Sequence, residues 1–141
     1  VAALSCMQVG VARASVAEAV AYAGQRTQFG RAIGSFQAVQ HHCADMFVAA
    51  ESARSAAWYA AWCCDHRPDE RLEAAAVAGS HCADSAFFAA STAVQVYGGI
   101  GFTWEHDAHL LFKRAEVTRR LFGGAQQHRG RLATTTGLRA E

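Results

Sequence analysis

The chain has 141 residues, 52% of them hydrophobic, with 13 basic and 12 acidic side chains and a formal net charge of +1. That is one domain's length, enough to bury a sizeable core, and the apolar fraction excludes intrinsic disorder. The near-neutral balance excludes a strong field for nucleic acid or an anionic membrane surface. A single proline argues against a turn-rich all-β chain, and abundant alanine favours helix.

The first helix is expected over residues 2–24. Val9, Ala12, Val16, Ala19, Val20 and Ala23 share one face, with Arg13 and Glu18 pointing elsewhere. Residues 26–34 read as a connector bounded by Gly24 and Gly34. Ser35 is the expected N-cap of helix two. Phe36, Val39, Cys43, Met46, Ala50, Ala53, Ala57 and Ala60 then alternate three and four apart, a heptad seam that Pro68 ends.

A third helix is expected from about Asp69 to Tyr97. Its seam runs through Leu72, Ala76, Gly79, Ala83, Ala86, Ala90, Ala93 and Tyr97, small enough for close helix approach. Gly98, Gly99 and Gly101 stop it. A fourth helix is expected from Trp104 or Glu105 to Leu121, and a short fifth from Ala125 to Ala133, before a frayed 134–137. The expected fold is all-α: an up-and-down four-helix bundle with a short additional C-terminal helix, in one domain spanning residues 1–141.

The cysteines Cys6, Cys43, Cys63, Cys64 and Cys82 are odd in number and form no Cys-x-x-Cys pair, so they read as buried free thiols of a reducing compartment. With no signal-peptide pattern and no stretch apolar enough for a membrane span, the expected location is cytoplasmic. His106, Asp107 and His109 do not share one helix face, and His41 and His42 are adjacent, so no metal is expected. Lys113, Arg114, Arg119 and Arg120 around Glu116 read as a solvated or salt-bridged face, without the motifs of nucleic-acid binding.

Three segments stand apart from the alanine-rich helices: residues 26–30, 95–105 and 122–127. Arg26 could clamp a phosphate, Phe29 could cover an aromatic ring, and the glycines at 98, 99 and 101 permit close backbone approach. Ordinary helix-end chemistry explains the same residues equally well.

In this order, however, the segments Arg26-x-Gln28-Phe29-Gly30, Ser35-Phe36-Gln37-x-Val39-Gln40, Asp45-Met46 and Gln95-x-x-Gly98-Gly99-x-Gly101-Phe102-x-x-Glu105 resemble the C-terminal helical domain of the acyl-CoA dehydrogenase family. The resemblance spans nearly the whole chain. It implies an FAD-dependent oxidoreductase acting on acyl-CoA thioesters, with FAD shared between subunits. It places Arg26, Gln28, Phe29, Ile33, Phe36, Gln37, Val39, Gln95, Gly98, Gly99 and Gln127 on the cofactor. Glu105 is implied as the catalytic carboxylate, with Phe102, Trp104 and Arg114 toward substrate; a carboxylate in a desolvated cleft suits removal of the α-proton.

The sequence departs from the family pattern in several places. His106-Asp107 follows the acid, where an aromatic and proline are common; Lys113-Arg114-Ala115 stands where an Arg-Asp pair is common, in a segment from Glu105 to Phe122 one residue longer than usual; and Gly124-Ala125 stands where Gly-Thr usually meets the cofactor. The implied partners are a homodimer or tetramer, or a heteromer with a homologous subunit, and an electron-transfer flavoprotein as acceptor. The alternatives are a non-catalytic assembly subunit, or a flavin oxidase or monooxygenase of the same superfamily.

Overall fold

Three long helices carry the architecture. In the computed structural model, which describes residues 1–138, α1 (Ala2–Gln25) leads into a two-stranded hairpin, β1 (Thr27–Gln28) and β2 (Arg31–Ala32). A 3-10 turn over Ile33–Ser35 follows, then α2 (Gln37–His66) and α3 (Arg71–Tyr97). A second 3-10 turn, Gly98–Phe102, precedes α4 (Ala108–Thr118) and α5 (Ala125–Thr135). The short connections make α2 antiparallel to both α1 and α3, so the C-terminal ends of α1 and α3 meet.

The central element is α3, which packs against each of the other four helices. Its buried residues exceed the expected seam: Ala74, Ala78, Ser80, Cys82, Ser85, Ala89 and Val96 join Ala76, Gly79, Ala83, Ala86, Ala90, Ala93 and Tyr97. A helix enclosed on several sides must be small on several sides, because each neighbour needs its own groove. Leu72 is the exception. It is 71% exposed, because Ala74 makes the first-turn contact with Ala60 and Cys63 of α2 and Leu72 points away from that face.

The seams of α1 and α2 follow the sequence pattern. Val9, Ala12, Ala19 and Ala23 are buried, as are Met46, Ala50, Ala53, Ala57 and Ala60. Val20 is half-exposed and falls outside the α1 face expected for it. Two long-range hydrogen bonds tie the helices: the Cys82 thiol donates to the Ala53 carbonyl at 3.3 Å, and Gln8 Nε2 to the Thr118 carbonyl at 3.1 Å. All five cysteines are free, but only Cys63 and Cys82 are buried; Cys6 and Cys64 face outward from their helices. Among the described residues no helix is long and apolar enough to cross a membrane.

Three boundaries differ from expectation. Ser35 does not cap α2: its hydroxyl is spent on the Ala32 carbonyl at 2.7 Å inside the 3-10 turn, and Phe36 occupies the N-cap. The connector is a hairpin rather than an open loop. Helix α4 begins at Ala108 and ends at Thr118, because the turn after Gly98 extends through Asp107; Trp104 and Glu105 therefore lie before the helix.

Helix α5 docks through one close fit. A Cβ placed on Gly79 would lie 2.9 Å from the His128 ring, which is only 2% exposed. Arg129 pairs with Asp84 beside it. Burial, reinforced by the nearby Arg131 charge, lowers the His128 pKa below the ordinary 6.5.

Gly79→Ala should destabilise the fold by about 1–2 kcal/mol, since overpacking against a fixed ring outweighs the gain in helix propensity. Gly10→Ala, where a Cβ meets nothing within 4 Å, should stabilise by about 0.5–1 kcal/mol. Urea denaturation of the two variants checks these opposite signs. The unfolded chain takes a proton at position 128 more readily than the folded one. Stability should therefore be full above about pH 6.5 and fall as pH drops from there toward the folded pKa. His128→Gln should remove that acid-side loss, read as the change in urea midpoint with pH.

Candidate functional site

Helix α1 hands over to the hairpin at Arg26, whose N–H donates to the Tyr22 carbonyl at 2.9 Å and whose carbonyl accepts the Ile33 N–H at 2.8 Å. Gln28 pairs with Arg31, leaving Phe29 and Gly30 as a two-residue loop. Both have positive φ, 53° and 75°, the combination that matches the twist of a tight hairpin. For a bulky residue such as Phe29 this backbone costs about 1–2 kcal/mol. Its ring is nevertheless 90% exposed, touching only the edge of Phe36 at 6.2 Å. The Arg31 guanidinium covers the Phe36 ring at 4.0 Å. Behind the hairpin, Ile33 and Val39 pack onto the core that holds Ala23, Met46 and Tyr97. Gln37 opens α2 in an exposed position.

The end of α3 is shaped by glycine. Gly98 has φ 65° and ψ −139°, a conformation that side chains exclude, and its N–H bonds back to the Val94 and Gln95 carbonyls. A Cβ on Gly98 or Gly99 would meet nothing within 4 Å, so their backbone faces open space. Gly101 is the buried member: a Cβ there would stand 3.0 Å from the Val94 carbonyl oxygen. Gln95 is exposed and lines a groove of about 330 Å³ with Val94, Gly101, Phe102, His109 and Phe112. Phe102 and Trp104 are 82% and 81% exposed. Trp104 leans on α4, its ring 4.9 Å from His109 and 4.6 Å from the Lys113 ammonium. Glu105 is exposed and has no ion-pair partner among the described residues.

These segments converge. Tyr22 and Tyr97 meet edge to face at 5.2 Å, and the Tyr22 hydroxyl donates to the Tyr97 carbonyl at 3.4 Å. One end of the bundle therefore carries Arg26, Gln28, Phe29, Ile33, Phe36, Gln37 and Val39 from one side and Gln95, Gly98, Gly99, Phe102, Trp104 and Glu105 from the other. Arg114 and Gln127 lie elsewhere. Arg114 reaches Met7 Sδ at 3.3 Å, about 22 Å down α1 from Tyr22. The side chain of Gln127 lies over Gly123, next to His128 on Gly79, and Gly79 is about 28 Å along α3 from Gly98.

The sequence reading missed Tyr22 and His106. Nothing in their spacing signals that they close on Tyr97, because that contact joins three elements. Burial pushes the Tyr97 hydroxyl up to about 12, and among the described residues it has no hydrogen-bond partner, so it remains neutral.

Comparison with known proteins places this arrangement. The family described as "Acyl-CoA dehydrogenase, C-terminal domain" matches residues 2–136. The chain is 46% identical over 134 residues to acyl-CoA dehydrogenase FadE34 of Mycobacterium tuberculosis, covering 94% of this chain and 19% of that protein. Butyryl-CoA dehydrogenase from Megasphaera elsdenii superposes with a TM-score of 0.91 at 29% identity, over 98% of this chain and 36% of its own. A chain of the ChsE4-ChsE5 complex from Mycobacterium tuberculosis does so with a TM-score of 0.91 at 31% identity, over 99% of this chain and 38% of its own. The chain thus spans well under half the length of each of these proteins.

Phe29→Asn should raise stability by about 0.5–1 kcal/mol, since asparagine tolerates the positive φ and the lost ring is mostly in solvent. Chemical denaturation checks it; a loss of stability would show that the ring's contact with Phe36 outweighs the backbone strain.

Proposed function

Because the chain belongs to the acyl-CoA dehydrogenase C-terminal domain family, we propose that it supplies the cofactor-contacting end of an FAD-dependent dehydrogenase acting on an acyl-CoA thioester. The observation that carries this reading is the convergence of Arg26, Gln28 and Phe29 with Gln95, Gly98 and Gly99 at one end of the bundle.

The donor set suits a dinucleotide. Arg26 offers a guanidinium to a pyrophosphate, Gln28 and Gln95 offer exposed amides, and Gly98 and Gly99 leave backbone open to close approach. Phe29 presents a free aromatic face at a fixed hairpin tip. When bound, FAD supplies the hydride acceptor for α,β-dehydrogenation. These groups project away from their own bundle, which supports a role completed by the surface of another domain or subunit, in a homodimer, a tetramer or a heteromer. An electron-transfer flavoprotein is the proposed electron acceptor.

Glu105 is the candidate base on this chain, with Phe102 and Trp104 beside it. A base near neutral pH needs desolvation, and this chain alone leaves all three exposed. Their shielding must come from surfaces outside these residues. That same exposure favours a second reading, in which this chain is the non-catalytic member of a heteromer and keeps the cofactor contacts without the base. Similarity to a chain of the ChsE4-ChsE5 complex supports it.

Two substitutions in the complete FAD-loaded protein separate these readings. Arg26→Ala should weaken FAD binding by about tenfold under both, as loss of one charge-assisted contact implies; unchanged binding would remove the cofactor role. Glu105→Gln should abolish flavin reduction by acyl-CoA, with the flavin absorbance intact, if Glu105 is the base. Retained reduction assigns the base to another residue or subunit.

A further inference from the structure

We propose that His106 is the positioning residue of this end of the bundle, holding the Gly98–Asp107 segment in the shape that offers Gln95, Gly98 and Gly99 to the dinucleotide. The inference rests on the cofactor reading above. The segment's other side-chain ties are few: the Thr103 hydroxyl donates to the Ile100 carbonyl at 2.8 Å, and Trp104 leans on His109 and Lys113. Three of its residues, Gly98, Gly99 and Gly101, have no side chain, and Phe102, Trp104 and Glu105 all point outward. His106 turns the other way and is half-buried between two exposed acids, Glu105 and Asp107.

Its ring makes two kinds of contact. Nδ1 accepts the Ala108 N–H at 3.0 Å, satisfying a donor that the first turn of α4 leaves without a helical partner. An accepting Nδ1 leaves Nε2 as the ring's donor nitrogen. The face of the ring lies 4.1 Å from Tyr97 at 40°, with the edge of Tyr22 at 6.1 Å. Tyr97 is the last residue of α3 before Gly98, and Tyr22 lies in the last turn of α1 before Arg26. One imidazole therefore pins the start of α4 to the ends of α1 and α3. The His106 carbonyl adds a third tie by accepting from His109 Nδ1 at 3.0 Å. The contacts His106 makes through Nδ1 and its ring are all with α4 and the ends of α1 and α3, so its role is one of position.

The test uses the complete FAD-loaded protein and reads the FAD Kd together with thermal stability. His106→Ala removes both contacts. His106→Asn keeps an acceptor at the same distance along the side chain, and His106→Phe keeps the ring on Tyr97. The Kd should rise about tenfold in His106→Ala and about threefold in each of the other two, which is partial rescue. Gly79→Ala, which stresses α3 far from this end, should lower stability without moving the Kd. A His106→Ala Kd within about twofold of wild type, or an equal rise in Gly79→Ala, overturns the proposal. Arg26→Ala distinguishes the two failures. If it weakens binding while His106→Ala does not, only the role of His106 falls; if neither does, the cofactor reading falls with it.

Discussion

The close approach of four helices to α3 is the constraint on which this structure depends. Alanine, glycine, serine and cysteine make up nearly all of its buried surface. Small residues bring helix axes together and gain many weak dispersion contacts in place of a few large side chains. The same geometry leaves little room inside for bulk. Tyr97, at the end of α3, is a buried aromatic, while Trp58, Trp62, Phe102, Trp104 and Phe122 stand partly or mostly in solvent. The core and the exposed aromatics are two sides of one packing solution.

That solution also sets where chemistry can occur. With interhelical grooves closed by alanine, the proposed recognition groups gather at an end of the bundle, where the chain must turn. Two parallel helices, α1 and α3, finish at the same end because a single antiparallel helix separates them. Their terminal residues are joined by tyrosine contacts instead of by alanine. The hairpin and the glycine turn then project beyond the packed helices on a shared base. Strain is tolerated there at Phe29, and glycine avoids it at Gly98, with the adjoining helices fixing the backbone on both sides.

At the far end of the site's own segment the logic reverses. Glu105 faces solvent without an ion-pair partner among the described residues, whereas His106 is drawn into the bundle. A single residue step thus separates an outward-facing acid from an inward-facing anchor. The contrast explains why the segment keeps a defined shape although glycine dominates its first half. It also shows why one chain cannot tune the acid by itself, since burial is what shifts a carboxylate toward neutrality.

The heptad spacings of α1 and α2 and the glycine stops after Tyr97 were enough to specify long helices, their inward faces and the all-α class. Residue patterning reports burial directly when a helix has one buried face. It fell short for α3, whose several buried faces blur any single period, and at Leu72, where Ala74 takes the buried position of the first turn. The family resemblance singled out segments along the chain, but spacing along the chain does not measure distance across it. Only the tertiary structure grouped Arg26 with Gln95, set Arg114 and Gln127 apart, and brought Tyr22, Tyr97 and His106 together. Such contacts depend on which helix ends coincide. That follows from how the bundle folds back on itself, not from the period of any one helix.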